Sequence, residues 1–104
     1  MSSSNSSLGV NDKVSHNVYF DGKVQSLGLE TEKGKATVGV IKKGSYVFNT
    51  ASPETMVVVS GNISAKVSGG DWVNYKKGDA FDIAANSSFE VTCDADVAYL
   101  CYYN

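Results

Sequence analysis

Histidine is almost missing from this chain: His16 is the one imidazole among 104 residues. A metal centre held by several imidazoles is therefore excluded, and so is a Ser-His-Asp hydrolytic arrangement, since His16 is expected to be an exposed tail residue outside any barrel. Proline is as scarce, with Pro53 alone. Two cysteines, Cys93 and Cys101, are too few for a disulfide scaffold. They are expected reduced and buried, as small apolar residues. The longest apolar runs are a few residues, such as Met56 to Val59, against the roughly 18 needed to cross a bilayer as a helix. Nine basic and eleven acidic residues give a net charge of −2 with no basic stripe, which argues against a nucleic-acid partner. No Gly-x-x-x-x-Gly-Lys loop is present to cradle phosphates. No stretch keeps a period near 3.6 with caps at both ends, so long helices are not expected.

What is present is alternation. Thr37-Val38-Gly39-Val40, Tyr46-Val47-Phe48, Phe81-Asp82-Ile83 and Phe89-Glu90-Val91-Thr92-Cys93 each switch character at every residue. Val97, Tyr99, Cys101 and Tyr103 share one face of a last strand. Turn signals separate these runs, among them Glu32-Lys33-Gly34-Lys35, Ser60-Gly61-Asn62, Lys76-Lys77-Gly78-Asp79 and Ala85-Asn86-Ser87. About nine short strands at such spacing predict one all-β domain, a sandwich or barrel. Met56 to Val59 is apolar at successive positions, which predicts a central strand covered on both faces. Met1 to Ser7 is rich in Ser and Asn and lacks the parts of a secretion signal. The reading is a polar tail over 1–15, a domain over 16–104 and a cytoplasmic location.

Two segments resemble the paired signatures of the cupin superfamily. Glu54 precedes Gly61 with six residues between, and Gly61 is expected to open a hairpin. Gly78 starts the second signature, Ala84-Ala85-Asn86 stands where a Pro-x-Gly turn would be, and Phe89 stands where a metal-binding histidine would be. Thr50 and Ser52 fall where the first histidine pair would be. One carboxylate with hydroxyls does not hold a transition metal firmly. The expected fold is a single-domain cupin, an RmlC-like jelly-roll β-barrel without a metal site.

A longer set of motifs is similar to the pyrimidine/purine nucleoside phosphorylase family, small cupins formerly grouped as a domain of unknown function. They are Tyr19 to Gly28, Ala36 to Ile41, Gly44 to Ala51, Pro53-Glu54-Thr55-Met56, then Gly61, Trp72, Tyr75, Gly78, Phe81, Ser87, Phe89 and the ending Tyr99 to Tyr103. Ala84, where the family is expected to carry proline, is a departure that alters turn stiffness more than chemistry. The resemblance implies phosphorolysis: a purine or pyrimidine nucleoside and phosphate give free base and ribose 1-phosphate, with a broad range of bases. It also implies no metal or organic cofactor, phosphate as co-substrate, and a homodimer.

Breaking an N-glycosidic bond builds positive charge on the sugar, so a carboxylate that binds the ribose hydroxyls also stabilises the reacting state. Glu54 is the candidate for that catalytic role, the alternative being a plain loop carboxylate after Pro53. Phosphate needs donors, and Thr50, Ser52, Ser87 and Lys23 are the candidates. The alternatives are turn hydroxyls satisfied by local backbone and an exposed strand-edge lysine. A broad range of bases calls for stacking, and Tyr46 and Tyr99 are the aromatics expected to touch substrate, the alternative being simple core. Trp72 and Tyr75 are expected to pack one sheet or a dimer contact, and Cys101 to be buried core. Outside this reading stand a non-catalytic cupin that binds or senses a small molecule and a purely structural dimer module.

Overall fold

The computed structural model describes residues 14–104. The expected tail thus lies, apart from Val14 and Ser15, outside the described residues. Ten strands run in order: β1 (His16–Tyr19), β2 (Val24–Thr31), β3 (Gly34–Ile41), β4 (Gly44–Asn49), β5 (Glu54–Ser60), β6 (Asn62–Val67), β7 (Trp72–Lys76), β8 (Ala80–Ile83), β9 (Ser88–Cys93) and β10 (Val97–Tyr103). They form a six-stranded sheet, β1-β2-β3-β10-β5-β8, facing a four-stranded sheet, β4-β9-β6-β7. From β3 onward each connection carries the chain to the other sheet, the β6–β7 hairpin excepted. That weave is the jelly roll expected of a cupin.

Alternation places the core. On β10, Val97, Tyr99 and Cys101 point inward and are buried, while Ala98, Leu100 and Tyr102 are half-buried on the other face. Ile83, Phe81, Phe89, Val91 and Cys93 close the interior from β8 and β9, as the sequence predicts. The two-residue turn Glu32–Lys33 joins β2 to β3, and the Thr31 hydroxyl braces it by donating to the Gly34 carbonyl at 2.7 Å. Both cysteines are buried and free.

Three expectations are corrected. The strand count is ten among the described residues, because His16–Tyr19 pairs with β2, in register from His16 opposite Leu27 to Tyr19 opposite Val24. His16 is therefore a strand residue, exposed at the sheet edge, its Nε2 bonded to Gln25 Oε1 at 2.9 Å. Just ahead of it, the Ser15 carbonyl accepts from the Gly28 N–H at 3.0 Å. Gly61 opens no hairpin: β5 and β6 lie in different sheets, and Gly61 turns the corner between them. Its φ is +93°, and a Cβ there would come within 3.0 Å of the Asp96 carbonyl oxygen, so backbone and space both call for glycine.

Candidate functional site

The inward face of the large sheet changes character along β10. At one end Val97 pairs with Ile41, and Ile41 with Val24, all three fully buried and apolar. One step on, Tyr99 pairs with Gly39, which pairs with Ser26. Then come Cys101 opposite Thr37 and Met56, and last Tyr103 opposite Glu54. Apolar filling gives way to polar groups, and the interior opens there into a cavity of about 440 Å³. That volume suits a small-molecule guest.

Tyr19, Ser26, Asn49, Glu54, Tyr99, Cys101 and Tyr103 supply the cavity's polar groups, from β1, β2, β4, β5 and β10. Among the described residues Glu54 is the only charged side chain lining it. Half-burial pushes the Glu54 carboxyl above the usual carboxylate range, and a hydrogen bond from the Cys101 thiol opposes that shift. The thiol donates to Glu54 Oε1 at 3.5 Å. Burial, with the Glu54 charge adding to it, pushes Cys101 up to about 12, so the thiol stays protonated and acts as a donor. Tyr99 is likewise pushed up to about 12, chiefly by burial, and Tyr103 is raised for the same reason. Both phenols are neutral donors at ordinary pH. The Tyr103 hydroxyl shares a hydrogen bond with Thr37 Oγ1 at 3.1 Å.

The facing wall is aromatic. Phe48 stacks on Phe89 at 5.3 Å, and Phe20 packs edge-on against Phe48 at 5.5 Å. Phe20 sits in a left-handed stretch, with φ of +52° at Phe20, +56° at Asp21 and +89° at Gly22. Two successive non-glycine residues in that region carry strain. The bend swings the Phe20 ring off the β1–β2 edge and over the cavity, where it remains partly exposed.

The predicted residues divide sharply. Glu54 and Tyr99 both line the cavity. Tyr46, Thr50, Ser52, Ser87 and Lys23 do not. Tyr46 is buried, and its hydroxyl donates to the Lys42 carbonyl at 2.8 Å. Thr50 is buried as a tether between two loops: its hydroxyl donates to the Ala84 carbonyl at 2.6 Å and accepts from the Ser87 N–H at 3.0 Å. Ser52 lies half-buried in the β4–β5 loop, and Lys23 is exposed after the Phe20–Gly22 bend. Phe89, at the signature's histidine position, lines the cavity as a ring. Among the described residues no three of His, Cys, Asp and Glu come together to hold a metal ion. Asn86 takes φ +54° in the turn after β8, the left-handed conformation that Asn tolerates. Sequence reasoning missed Ser26, Asn49, Tyr19 and Phe20 in the lining. Only Ser26 left a signal, a polar residue at an inward position two after Val24.

The sequence profile of the pyrimidine/purine nucleoside phosphorylase family matches residues 14–103. A Vibrio cholerae protein named pyrimidine/purine nucleoside phosphorylase is 46% identical over 91 residues, covering 86% of this chain and 96% of its own. A Pseudomonas putida protein of the same name is 48% identical over 88 residues, 84% of this chain and 94% of its own. Among solved structures, a protein of unknown function from Vibrio parahaemolyticus superimposes with a TM-score of 0.84 at 42% identity, covering 88% of this chain and 99% of that one. An RmlC-like cupin from Shewanella frigidimarina does so at 0.68 with 16% identity, over 93% and 88%, a likeness of fold alone.

Proposed function

Because this chain belongs to the pyrimidine/purine nucleoside phosphorylase family, we propose that its cavity carries out phosphorolysis of purine and pyrimidine nucleosides. The observation that carries the reading is the pairing of Glu54 with a wall of neutral donors on one side and aromatic rings on the other. A phosphate oxygen bonds to C1′ as the N-glycosidic bond breaks. The bond's electron pair leaves on the base nitrogen, which takes the proton given up by hydrogen phosphate. The products are free base and ribose 1-phosphate.

Glu54 accepts hydrogen bonds from the ribose hydroxyls, and its charge stabilises the cationic sugar of the transition state. With no cation among the described residues of the lining, the Tyr99 and Tyr103 hydroxyls, Ser26 and the Asn49 amide hold the phosphate as neutral donors. Phe20, Phe48 and Phe89 take the base by stacking, over a floor made by the Tyr99 ring, and stacking tolerates purines and pyrimidines alike. Thr50 and Ser87 enter this reading indirectly, by fixing the loops that end β4 and begin β9. No metal or organic cofactor has a part in these steps.

The test is chromatography of free base after incubating the protein with uridine or adenosine. Release that requires phosphate and is indifferent to a chelator is the expected result. Release without phosphate, or none with it, ends the reading, and tight binding without turnover favours the binding or sensing role. The same proposal pairs two copies through the outer face of the large sheet, where Leu27, Leu29, Val38 and Val40 stay exposed although β2 and β3 also bury their inner face. Sedimentation is expected to give twice the chain mass, and a monomer at working concentration rejects the pairing.

A further inference from the structure

We propose that Gly39 is a positioning residue that sets how much room the cavity leaves for the base, by letting the Tyr99 ring lie flat along β3. The inference rests on the phosphorolysis reading and extends it to the choice between large and small bases.

Gly39 sits between Ser26 and Tyr99 in the register of three adjacent strands, β2, β3 and β10. Its inward neighbours on β3, Thr37 and Ile41, both carry buried side chains, so the strand is bare only at this point. The phenol of Tyr99 fills the gap. A Cβ built on Gly39 would fall 2.6 Å from both Tyr99 Cζ and its hydroxyl oxygen, and 2.7 Å from the Gln25 carbonyl oxygen. The backbone at Gly39 is not left-handed, so the requirement is space and not conformation. Beyond Gly39 in the register lies Ser26 of β2, whose Oγ accepts from Asn17 Nδ2 of β1 at 3.2 Å. Tyr99 therefore lies across three strands as part of the cavity floor.

A methyl group at position 39 removes that berth. The ring has to withdraw from 2.6 Å to at least the 3.4 Å of ordinary contact, and β2 has to give way too, since the Gln25 carbonyl oxygen stands at 2.7 Å. Behind it lies hydrogen-bonded backbone, so the ring rises into the cavity. A raised floor affects a two-ring base more than a one-ring base, and losses of about tenfold are typical when a pocket is short by one methylene.

The experiment compares kcat/KM for adenosine and uridine in the wild type, Gly39→Ala, Tyr99→Phe and Tyr99→Trp. Gly39→Ala is expected to lower the adenosine-to-uridine ratio by about tenfold. Tyr99→Phe keeps the ring on Gly39 and is expected to hold the ratio within about twofold while the overall rate falls. Tyr99→Trp adds bulk with Gly39 intact and lowers the ratio as well, so it carries the test should Gly39→Ala fail to fold. An unchanged ratio in Gly39→Ala, or in Tyr99→Trp where the first variant does not fold, overturns the role of Gly39. If the wild type cleaves neither nucleoside, the phosphorolysis reading fails separately, and equilibrium dialysis of adenosine and uridine reads the same ratio. Binding of neither nucleoside overturns both.

Discussion

One strand passes through two kinds of interior. Near its start β10 contributes Val97 to a packed end with Val24 and Ile41, in a buried cluster to which the other sheet adds Ile63 and Val91. Near its finish it contributes Cys101 and Tyr103 to a hollow end with Glu54 and Thr37. The backbone pattern is the same at both ends, antiparallel pairing with every second side chain inward. Periodicity therefore decides only which face a residue joins. Residue type at each inward position decides whether the space is filled or left open. The hollow end is stable because its polar groups answer one another: among the described residues no buried side-chain nitrogen or oxygen lacks a partner.

The contrast is broken most severely at the hollow end. Glu54→Gln keeps the size of the side chain and removes the charge, so kcat/KM for uridine is expected to fall by about a hundredfold to a thousandfold. The thermal midpoint should not fall, since no salt bridge or packing is lost. Steady-state kinetics beside a melting curve checks both, and an active variant removes Glu54 from the chemistry. At the packed end the opposite is expected. Ile63 is 1% exposed, and Ile63→Ala should lower folding stability by about 3 kcal/mol. KM for uridine should stay near the wild-type value, because Ile63 does not line the cavity. Urea unfolding with kinetics on the folded fraction measures it, and a KM shifted as far as in a cavity variant shows that the two ends are not independent.

Much of this division is legible in the amino-acid sequence alone. Alternation on β8, β9 and β10 marks the inward residues, and motif spacing marks Glu54. What the sequence does not display is long-range geometry. Thr50 is recognisable as a hydroxyl in a turn, but its partners Ala84 and Ser87 come from a loop that only the fold brings near. Gly61 signals a tight turn equally well for a hairpin or for a corner between sheets. Phe20 carries no signal, because side chains such as phenylalanine rarely adopt positive φ and nothing in Phe-Asp-Gly announces the exception. Gly39 reads as a small residue in a strand, and its partner Tyr99 lies across the register, far along the chain.

The finest probe of the contrast is the proton on Glu54. Burial raises its pKa in the folded protein, so the native state holds that proton more tightly than the unfolded chain does. Between the ordinary carboxylate value and the raised one the native state carries more protons. Stability is therefore highest below that window and declines as pH rises through it, flattening above. Glu54→Gln has no proton to exchange and should lose this part of the slope, gaining on the wild type as the solution approaches neutrality. Cys101→Ala deletes the thiol hydrogen bond that holds the pKa down, so its window should extend to higher pH. Ile63→Ala, changing no titrating group, should follow the wild-type curve at a constant offset. Urea midpoints measured from about pH 4 to pH 7 separate the three cases. Parallel curves for the wild type and Glu54→Gln would mean that the carboxyl is as well solvated folded as unfolded, and that the hollow end is electrostatically no different from the surface.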